Sequence, residues 1–234
     1  MIQGSNLYQN LKIITSKIYK KGLHETDEEY QPLIITIFDN FNRRVLDSFK
    51  QNVCPIFVDS TASLEEFNLP FFCFSIATPF GGLPIGFSIV SDETEATLTE
   101  AFKPFVNRFP QSPVFMTDDC VSLRKSLRSN WPDSSLLLCS WHYTQALWTY
   151  ILDGKNGVGA DIRQAVINDF TACLYETNEK LANEKMENML QNQTSFKLKK
   201  KLLKEKERFP EWGHSYRSNK YTKYNFKLIN KISK

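Results

Sequence analysis

Two pairs of residues in the sequence could do chemistry, and the first is a pair of aspartates. Asp59 ends the apolar run CPIFVD, and Asp118 ends the run PVFMTD and is followed by Asp119. Carboxylates at strand ends are held by rigid elements yet reach solvent. On neighbouring strands they could share one or two Mg²⁺ or Mn²⁺ ions, which activate the attacking oxygen and stabilise the leaving oxygen in phosphodiester chemistry. The plainer alternative is that Asp59 lies in a turn and Asp118 caps the following helix.

The second pair is Cys139 and His142, three positions apart. A structural zinc site needs four ligands, which usually come in closely spaced Cys and His pairs. The only other histidines are His24 and His214, and the sequence contains no C-x-x-C, so we expect no structural zinc. Cys139 then packs at the end of an apolar strand. His142 begins the next helix, where it either contacts the carboxylate site or a phosphate, or only completes the start of that helix.

The hydrophobic pattern predicts the elements that must position these residues. Three apolar runs rich in β-branched and aromatic residues predict an antiparallel meander, and two later runs predict two more strands. The predicted strands are 53–60, 70–79, 84–91, 113–118 and 135–140, with a turn at 79–82. The predicted helices are 6–21, 38–51, 93–109 (capped by Ser91 or Asp92), 119–130 and 141–152, and residues 160–208 are expected to be all helical. Strands alternating with helices indicate a mixed sheet with helices on both faces.

Composition and charge narrow the function classes. No stretch approaches the roughly 18 uninterrupted apolar residues of a membrane span, so we expect no membrane partner. The N-terminus has no apolar signal region, and the five cysteines are scattered, which favours an intracellular protein with reduced thiols. Residues 196–234 carry 13 Lys/Arg and 3 Asp/Glu, whereas the remainder carries 16 and 23. The basic end either contacts a polyanion such as DNA or is simply a solvated, lysine-rich helix.

Three segments resemble the catalytic core of Mutator-like element transposases, which are DDE transposases with a ribonuclease-H-like fold. FVDSTASLEEFNLPFF is similar to the family's first-aspartate strand, and GGLPIGFSIVSDETEATLTEAFKPF to the strand and helix that follow. FMTDDCVSLRKSLRSNWPDSSLLLCSWHYTQALW is similar to the second-aspartate strand and ends in the family's Cys-x-x-His. The resemblance spans residues 53–150, and the 59-residue separation of Asp59 and Asp118 agrees with it.

The resemblance implies an α/β, ribonuclease-H-like fold with a mixed five-stranded sheet, flanking helices and an all-helical insertion. The expected regions are an N-terminal helical segment (1–50), the core (51–152), the insertion (153–211) and the last core helix (212–234). Asp59 and Asp118 would be the first two metal-binding carboxylates, with Asp119, Cys139 and His142 beside the site. The implied function is Mg²⁺- or Mn²⁺-dependent DNA cleavage and strand transfer in the nucleus.

The third carboxylate of the family departs from the pattern. WGHSYRSNKYTKYNFKLINKI (212–232) fits the outline of the last catalytic segment, but Lys227 stands where a glutamate is expected. An ammonium group offers no oxygen ligand and repels a metal cation. Three explanations follow: Glu205, Glu207 or Glu211 serves instead; the protein is degenerate or repurposed; or the chain is a fragment of a longer protein, since it shows no N-terminal zinc-binding DNA domain.

These observations leave three functional hypotheses. The first is a metal-dependent DNA cleavage and strand-transfer core, and the second is a non-catalytic DNA-binding or protein-interaction protein derived from such a core. The third is a ribonuclease-H-like nuclease that acts alone. The lysine at position 227 disfavours the first hypothesis and favours the second. The sequence leaves homo-oligomerisation open.

Overall fold

The structure, a computed structural model, describes the backbone of residues 13–17 and residues 32–49, 55–61, 68–78, 81–111, 113–193 and 195–217. It forms two compact units, residues 1–136 and residues 137–234. The strands are β1 (Ile13–Lys17), β2 (Ile34–Ile37), β3 (Ile56–Thr61), β4 (Phe71–Thr78), β5 (Gly81–Val90), β6 (Val114–Thr117) and β7 (Ser135–Leu138). The helices are α1 (Asn40–Phe49), α2 (Glu95–Phe102), α3 (Val121–Asn130), α4 (Ser140–Leu152), α5 (Arg163–Leu174), α6 (Glu179–Gln191), α7 (Phe196–Glu207) and α8 (Phe209–Trp212).

The strands form one mixed sheet in the order β1-β2-β5-β4-β3-β6-β7. The pairs β1–β2, β2–β5, β4–β5 and β3–β4 are antiparallel, whereas β3 and β6 are parallel. The five predicted strands are confirmed as β3 to β7, and the predicted antiparallel meander is β3-β4-β5. The sheet has seven strands instead of the five expected, because two strands precede the meander in the chain.

The prediction of an N-terminal helical segment is wrong at these two strands. Residues 13–17, inside the predicted helix 6–21, form β1, and Ile34–Ile37 form β2; only α1 is helical in the described part of 1–50. Both strands are rich in Ile and Thr, whose branched side chains favour strands. Ile34 and Thr36 are buried against the core, so tertiary packing favours the strand for β2. The rest of 6–21 lies outside the described residues.

The core of the first unit lies on one face of the sheet. Along β3, Ile56 and Val58 are buried and Asp59 is exposed, which is the alternation of a strand with one face on the core. The rings of Phe102 and Phe105, at and just after the end of α2, pack on the strand residues of this face. A Cβ on Gly86 of β5 would lie 2.5 Å from the Phe105 ring, so glycine allows that ring to rest on the backbone.

Helix α2 begins two residues later than predicted and has a different cap. Thr94 is the N-cap, with its Oγ1 accepting a hydrogen bond from Thr97 N at 3.3 Å. The predicted cap Asp92 instead accepts from Thr94 N at 3.0 Å and forms the turn before the helix. Both residues are good cap formers, so the sequence alone does not separate them. The helix ends at Phe102, and a 3₁₀ turn (Lys103–Phe105) completes the predicted 93–109 segment.

The second unit is helical, as predicted for residues 160–208. Its core includes Phe170 of α5, Met186 of α6, Leu202 of α7 and Trp212 of α8. This unit begins at residue 137 and includes α4, whereas the insertion was predicted to begin at 153. No helix within the described residues is long and apolar enough to cross a membrane. The predicted last helix lies outside the described residues from 218 onward.

Candidate metal site

Asp59 lies near the carboxyl end of β3, on the face opposite the core. Its side chain is exposed, and its cross-strand partner on β4 is Cys73. Burial and, secondarily, the negative charge of Asp59 raise the pKa of the Cys73 thiol, which therefore stays protonated. The Asp59 carboxylate makes no hydrogen bond or ion pair with any described residue. It is thus available to a ligand.

Asp118 directly follows β6, and the register of β3 and β6 indicates where it lies relative to Asp59. Ile56 pairs with Phe115 and Phe57 with Met116, so each partner stands 59 positions further along the chain. The same offset continued by two residues sets Asp118 opposite Asp59. Neighbouring strands lie about 4.8 Å apart, and residues in register on parallel strands point to the same face. The register of the two strands is thus compatible with the two carboxylates lying side by side, and their meeting stays a prediction.

One oxygen of Asp118 is already engaged. Its Oδ1 accepts a hydrogen bond from Cys120 N at 3.1 Å, which forms the turn before α3. Cys120 is the N-cap of that helix. Asp118 therefore does not cap the helix, as the alternative prediction had it, but forms the turn that precedes it. The turn fixes the direction of the carboxylate and leaves its other oxygen for a cation. Asp119, the next residue, is exposed.

The two aspartates fit a hard divalent cation that also uses ligands from outside the protein. Mg²⁺ is commonly held by one or two carboxylates together with waters and substrate phosphates. Across the described ranges, no group of three or more Asp, Glu, His or Cys side chains is placed to bind a metal. The donor set therefore suits a site completed by water or phosphate rather than one enclosed by side chains.

The three glutamates predicted as alternatives for a third ligand all lie in the second unit. Glu205 of α7 is only 5% exposed; it accepts a hydrogen bond from the Tyr143 hydroxyl and forms an ion pair with Lys201. Glu211 pairs with Arg208 at 3.0 Å. Glu207 is exposed at the last residue of α7, and Lys227 lies outside the described residues.

Cys139 and His142 interact electrostatically at the start of α4. Cys139 is the N-cap residue, and His142 lies in the first turn of the helix. Burial acts to raise the pKa of the Cys139 thiol, but hydrogen bonds with His142 and the charge of His142 outweigh burial and lower this pKa. The Trp141 ring packs edge-on against His142 at 4.7 Å. The location of this pair beside the aspartates stays a prediction.

Sequence reasoning missed a buried polar cluster in the second unit. Arg217 is fully buried and donates to the Leu138 carbonyl at 2.6 Å and to Ser140 Oγ at 3.2 Å. His214 Nε2 lies 3.1 Å from the same Ser140 Oγ. Burial and then the Arg217 charge lower the pKa of His214 to about 3, so its ring is neutral. The Tyr-Arg element at 216–217 was a usable signal, but nothing in the sequence indicated its burial.

Comparison with known proteins covers the first unit. Residues 15–137, which are 123 of the 234, match the family model described as "Zinc finger SWIM domain-containing protein 1/3, RNaseH-like domain". A search of curated proteins finds no match. The matched segment contains both Asp59 and Asp118 and ends one residue into the second unit. The match confirms the predicted ribonuclease-H-like fold, and because it covers more than half of the sequence, the chain belongs to the RNaseH-like domain family of zinc finger SWIM domain-containing proteins 1 and 3.

Proposed function

We propose that the chain derives from the catalytic core of a Mutator-like element transposase and that Asp59 and Asp118 bind Mg²⁺ or Mn²⁺ against a DNA phosphate. The observation that carries the proposal is the register of the parallel strands β3 and β6, which pairs Phe57 with Met116, two residues before Asp59 and Asp118. Three sequence segments that resemble the transposase core, in the order of that core, support the same origin. Nuclear localisation is part of this proposal, since the substrate is DNA.

Each side chain has a separate role in the proposed site. A bound divalent cation would polarise a phosphodiester and lower the pKa of an attacking water or hydroxyl. Asp59 supplies a carboxylate that no described residue engages, so both of its oxygens can face the cation. Asp118 supplies one oxygen, and its bond from Cys120 N holds it in direction. The chain thereby binds and orients a phosphate beside the end of the sheet.

A second candidate is a non-catalytic DNA-binding or protein-interaction protein derived from the same core. It is favoured because, over the described residues, no third Asp, Glu, His or Cys side chain joins a pair of such residues in a metal-binding group. Two carboxylates suffice to hold a cation on a phosphate but leave one fewer negative ligand than the DDE set. Under this candidate, metal binding persists and DNA cleavage does not.

The experiment separates metal binding from cleavage. Mn²⁺ binding is measured by electron paramagnetic resonance on the whole chain, on Asp59→Asn and Asp118→Asn, and on the exposed surface control Asp133→Asn. We expect either site variant to lose the bound Mn²⁺ and the control to keep it. Retention of wild-type affinity in both site variants would refute the site.

Cleavage is then tested with supercoiled DNA in Mg²⁺ or Mn²⁺. Nicking that requires both aspartates supports the catalytic candidate and refutes the non-catalytic one. Metal binding without nicking supports the non-catalytic candidate. The alkylation rate of Cys73 gives an independent reading, because a cation on Asp59 offsets the charge that raises the Cys73 pKa and should accelerate alkylation.

A further inference from the structure

The outward side of α7 is a lysine-rich surface with a known orientation. Leu198, Leu202 and Glu205 are buried and define the inner side of the helix. Residues about half a turn away therefore face solvent. We call this surface the α7 outer face, and its members are Phe196, Lys199, Lys200, Leu203, Lys204 and Glu207.

The lysines of the α7 outer face differ from the other lysines of the same helix. Lys201 pairs with Glu205, and Lys206 pairs with Glu187, so these two charges are balanced. Lys199, Lys200 and Lys204 are exposed, and none of them makes an ion pair with a described residue. Lys200 and Lys204 are one turn apart, about 6 Å along the helix axis. Three lysines against the single carboxylate of Glu207 leave the face with a formal charge of +2.

A further ammonium group lies beside the first turn of α7. Lys197 Nζ donates to the Lys155 carbonyl at 2.6 Å, which brings the 3₁₀ turn Gly154–Asn156 against this end of the helix. Lys155 itself is exposed. The Tyr150 hydroxyl donates to the Lys197 carbonyl at 3.2 Å and so secures the same junction. Positive charge therefore extends past the end of the α7 outer face over an ordered surface.

An aromatic ring stands among these charges. Phe196 is 80% exposed, the highest exposure among the large hydrophobic residues of the described chain, and Leu203 on the same face is 46% exposed. Burying a Phe side chain contributes about 1.5–3 kcal/mol, so covering the exposed Phe196 ring with a flat apolar group would be favourable. The combination of a cationic row and an open aromatic ring is typical of surfaces that bind single strands through phosphates and stacked bases.

We propose that the α7 outer face binds single-stranded nucleic acid, with Lys199, Lys200 and Lys204 on successive phosphates and a base stacked on Phe196. Bases within a duplex already stack on each other and are not open to the ring, which favours a single strand. This binding is independent of the metal proposal, because the face contains no residue of the aspartate site and needs no cation.

The test uses the whole chain in EDTA, with fluorescence anisotropy of a labelled oligothymidine titrated at several salt concentrations. The variant K199Q/K200Q/K204Q is compared with K103Q/K125Q/K180Q, which removes the same charge from exposed lysines that already face glutamates. A single strand loses about 0.7 in the slope of log affinity against log salt for each phosphate contact. We therefore expect the α7 variant to lower the slope by about 2 and the control to leave it near wild type.

Phe196→Ala tests the base contact separately. With oligothymidine it should weaken binding by about 5- to 150-fold, the range for one stacked base, at an unchanged salt slope. With an abasic single strand, which keeps the phosphates and lacks bases, the substitution should have no effect. The proposal would be overturned if the α7 variant kept the wild-type salt slope, or if Phe196→Ala weakened binding to the abasic strand as much as binding to oligothymidine. It would also be overturned if the protein bound a matched duplex more tightly than the single strand, or bound anionic lipid vesicles in place of DNA.

Discussion

Glu205 is expected to stabilise the helical unit and to take no part in metal chemistry, although it is one of the three glutamates that could replace the missing third ligand. The informative substitution is Glu205→Gln, which keeps the shape of the side chain and removes its charge. The carboxylate is 5% exposed and accepts from Tyr143, while its backbone carbonyl accepts from Trp212 Nε1 at 2.8 Å. The same residue thus joins α4, α7 and α8.

The magnitude follows from the two side-chain contacts. A hydrogen bond to a charged group contributes about 1.5–3 kcal/mol and a neutral one about 0.5–1.5 kcal/mol, so loss of charge weakens the Tyr143 bond by about 1–1.5 kcal/mol. The Lys201 side chain is 36% exposed, so solvent screening limits the lost ion pair to about 0.5 kcal/mol. Glu205→Gln should therefore lower the free energy of unfolding by about 2 kcal/mol.

The assay is urea unfolding followed by far-UV circular dichroism, with Glu207→Gln as the matched control. Glu207 is exposed two residues later on the same helix, and its substitution should change stability by less than about 0.5 kcal/mol. Tyr143→Phe and the double variant complete a cycle in which the hydroxyl and the carboxylate should couple by at least about 1 kcal/mol. The reasoning is refuted if Glu205→Gln has wild-type stability and abolishes Mn²⁺ binding or metal-dependent nicking.

Two further predictions concern titratable groups in the second unit. Because the pKa of His214 is lowered from 6.5 to about 3, only the unfolded state binds a proton there as the pH falls below 6.5. Stability should then decrease by about 1.4 kcal/mol per pH unit between about pH 6 and 4, and His214→Asn should remove that component of the slope in urea titrations at each pH. Cys139 should react with iodoacetamide faster than an ordinary buried thiol at neutral pH, and His142→Ala should slow it severalfold, measured by peptide mass spectrometry; an unchanged rate would contradict the interaction of Cys139 with His142.

The sequence predicted the part of the fold in which hydrophobic alternation and element length agree. The runs that became β3 to β7 are short, apolar and bounded by turn residues, and the structure confirms all five. β1 was missed because its apolar residues also fit the helical spacing of 6–21, whereas β2 lies between the two predicted helices and was assigned no strand. Burial of Ile34 and Thr36 in the sheet identifies β2. That burial depends on residues far away in the sequence, such as Val90 opposite Ile34.

The candidate site, like the fold, was predicted where it depends on local sequence and not where it depends on distant residues. Asp59 and Asp118 were chosen for their positions at strand ends, but whether they share a site depends on the register of β3 and β6, which the spacing alone does not determine. A shift of one residue in that register would point one carboxylate into the opposite face of the sheet. The buried cluster of Arg217 and Ser140 could not be predicted, because its contacts join residues 77 positions apart.

Helix α4 packs in the second unit, although the predicted core region extended to residue 152. Helix α4 follows the last strand, and its pattern of apolar residues indicated only that one side is buried, not what buries it. Tyr143, Leu147 and Ile151 occupy the core that also contains Phe170 and Trp212. A helix is stabilised mainly by the surface on which its apolar side packs. The packing of helix α4 therefore stabilises the helical unit, and Cys139 and His142, at the start of α4, belong to that unit.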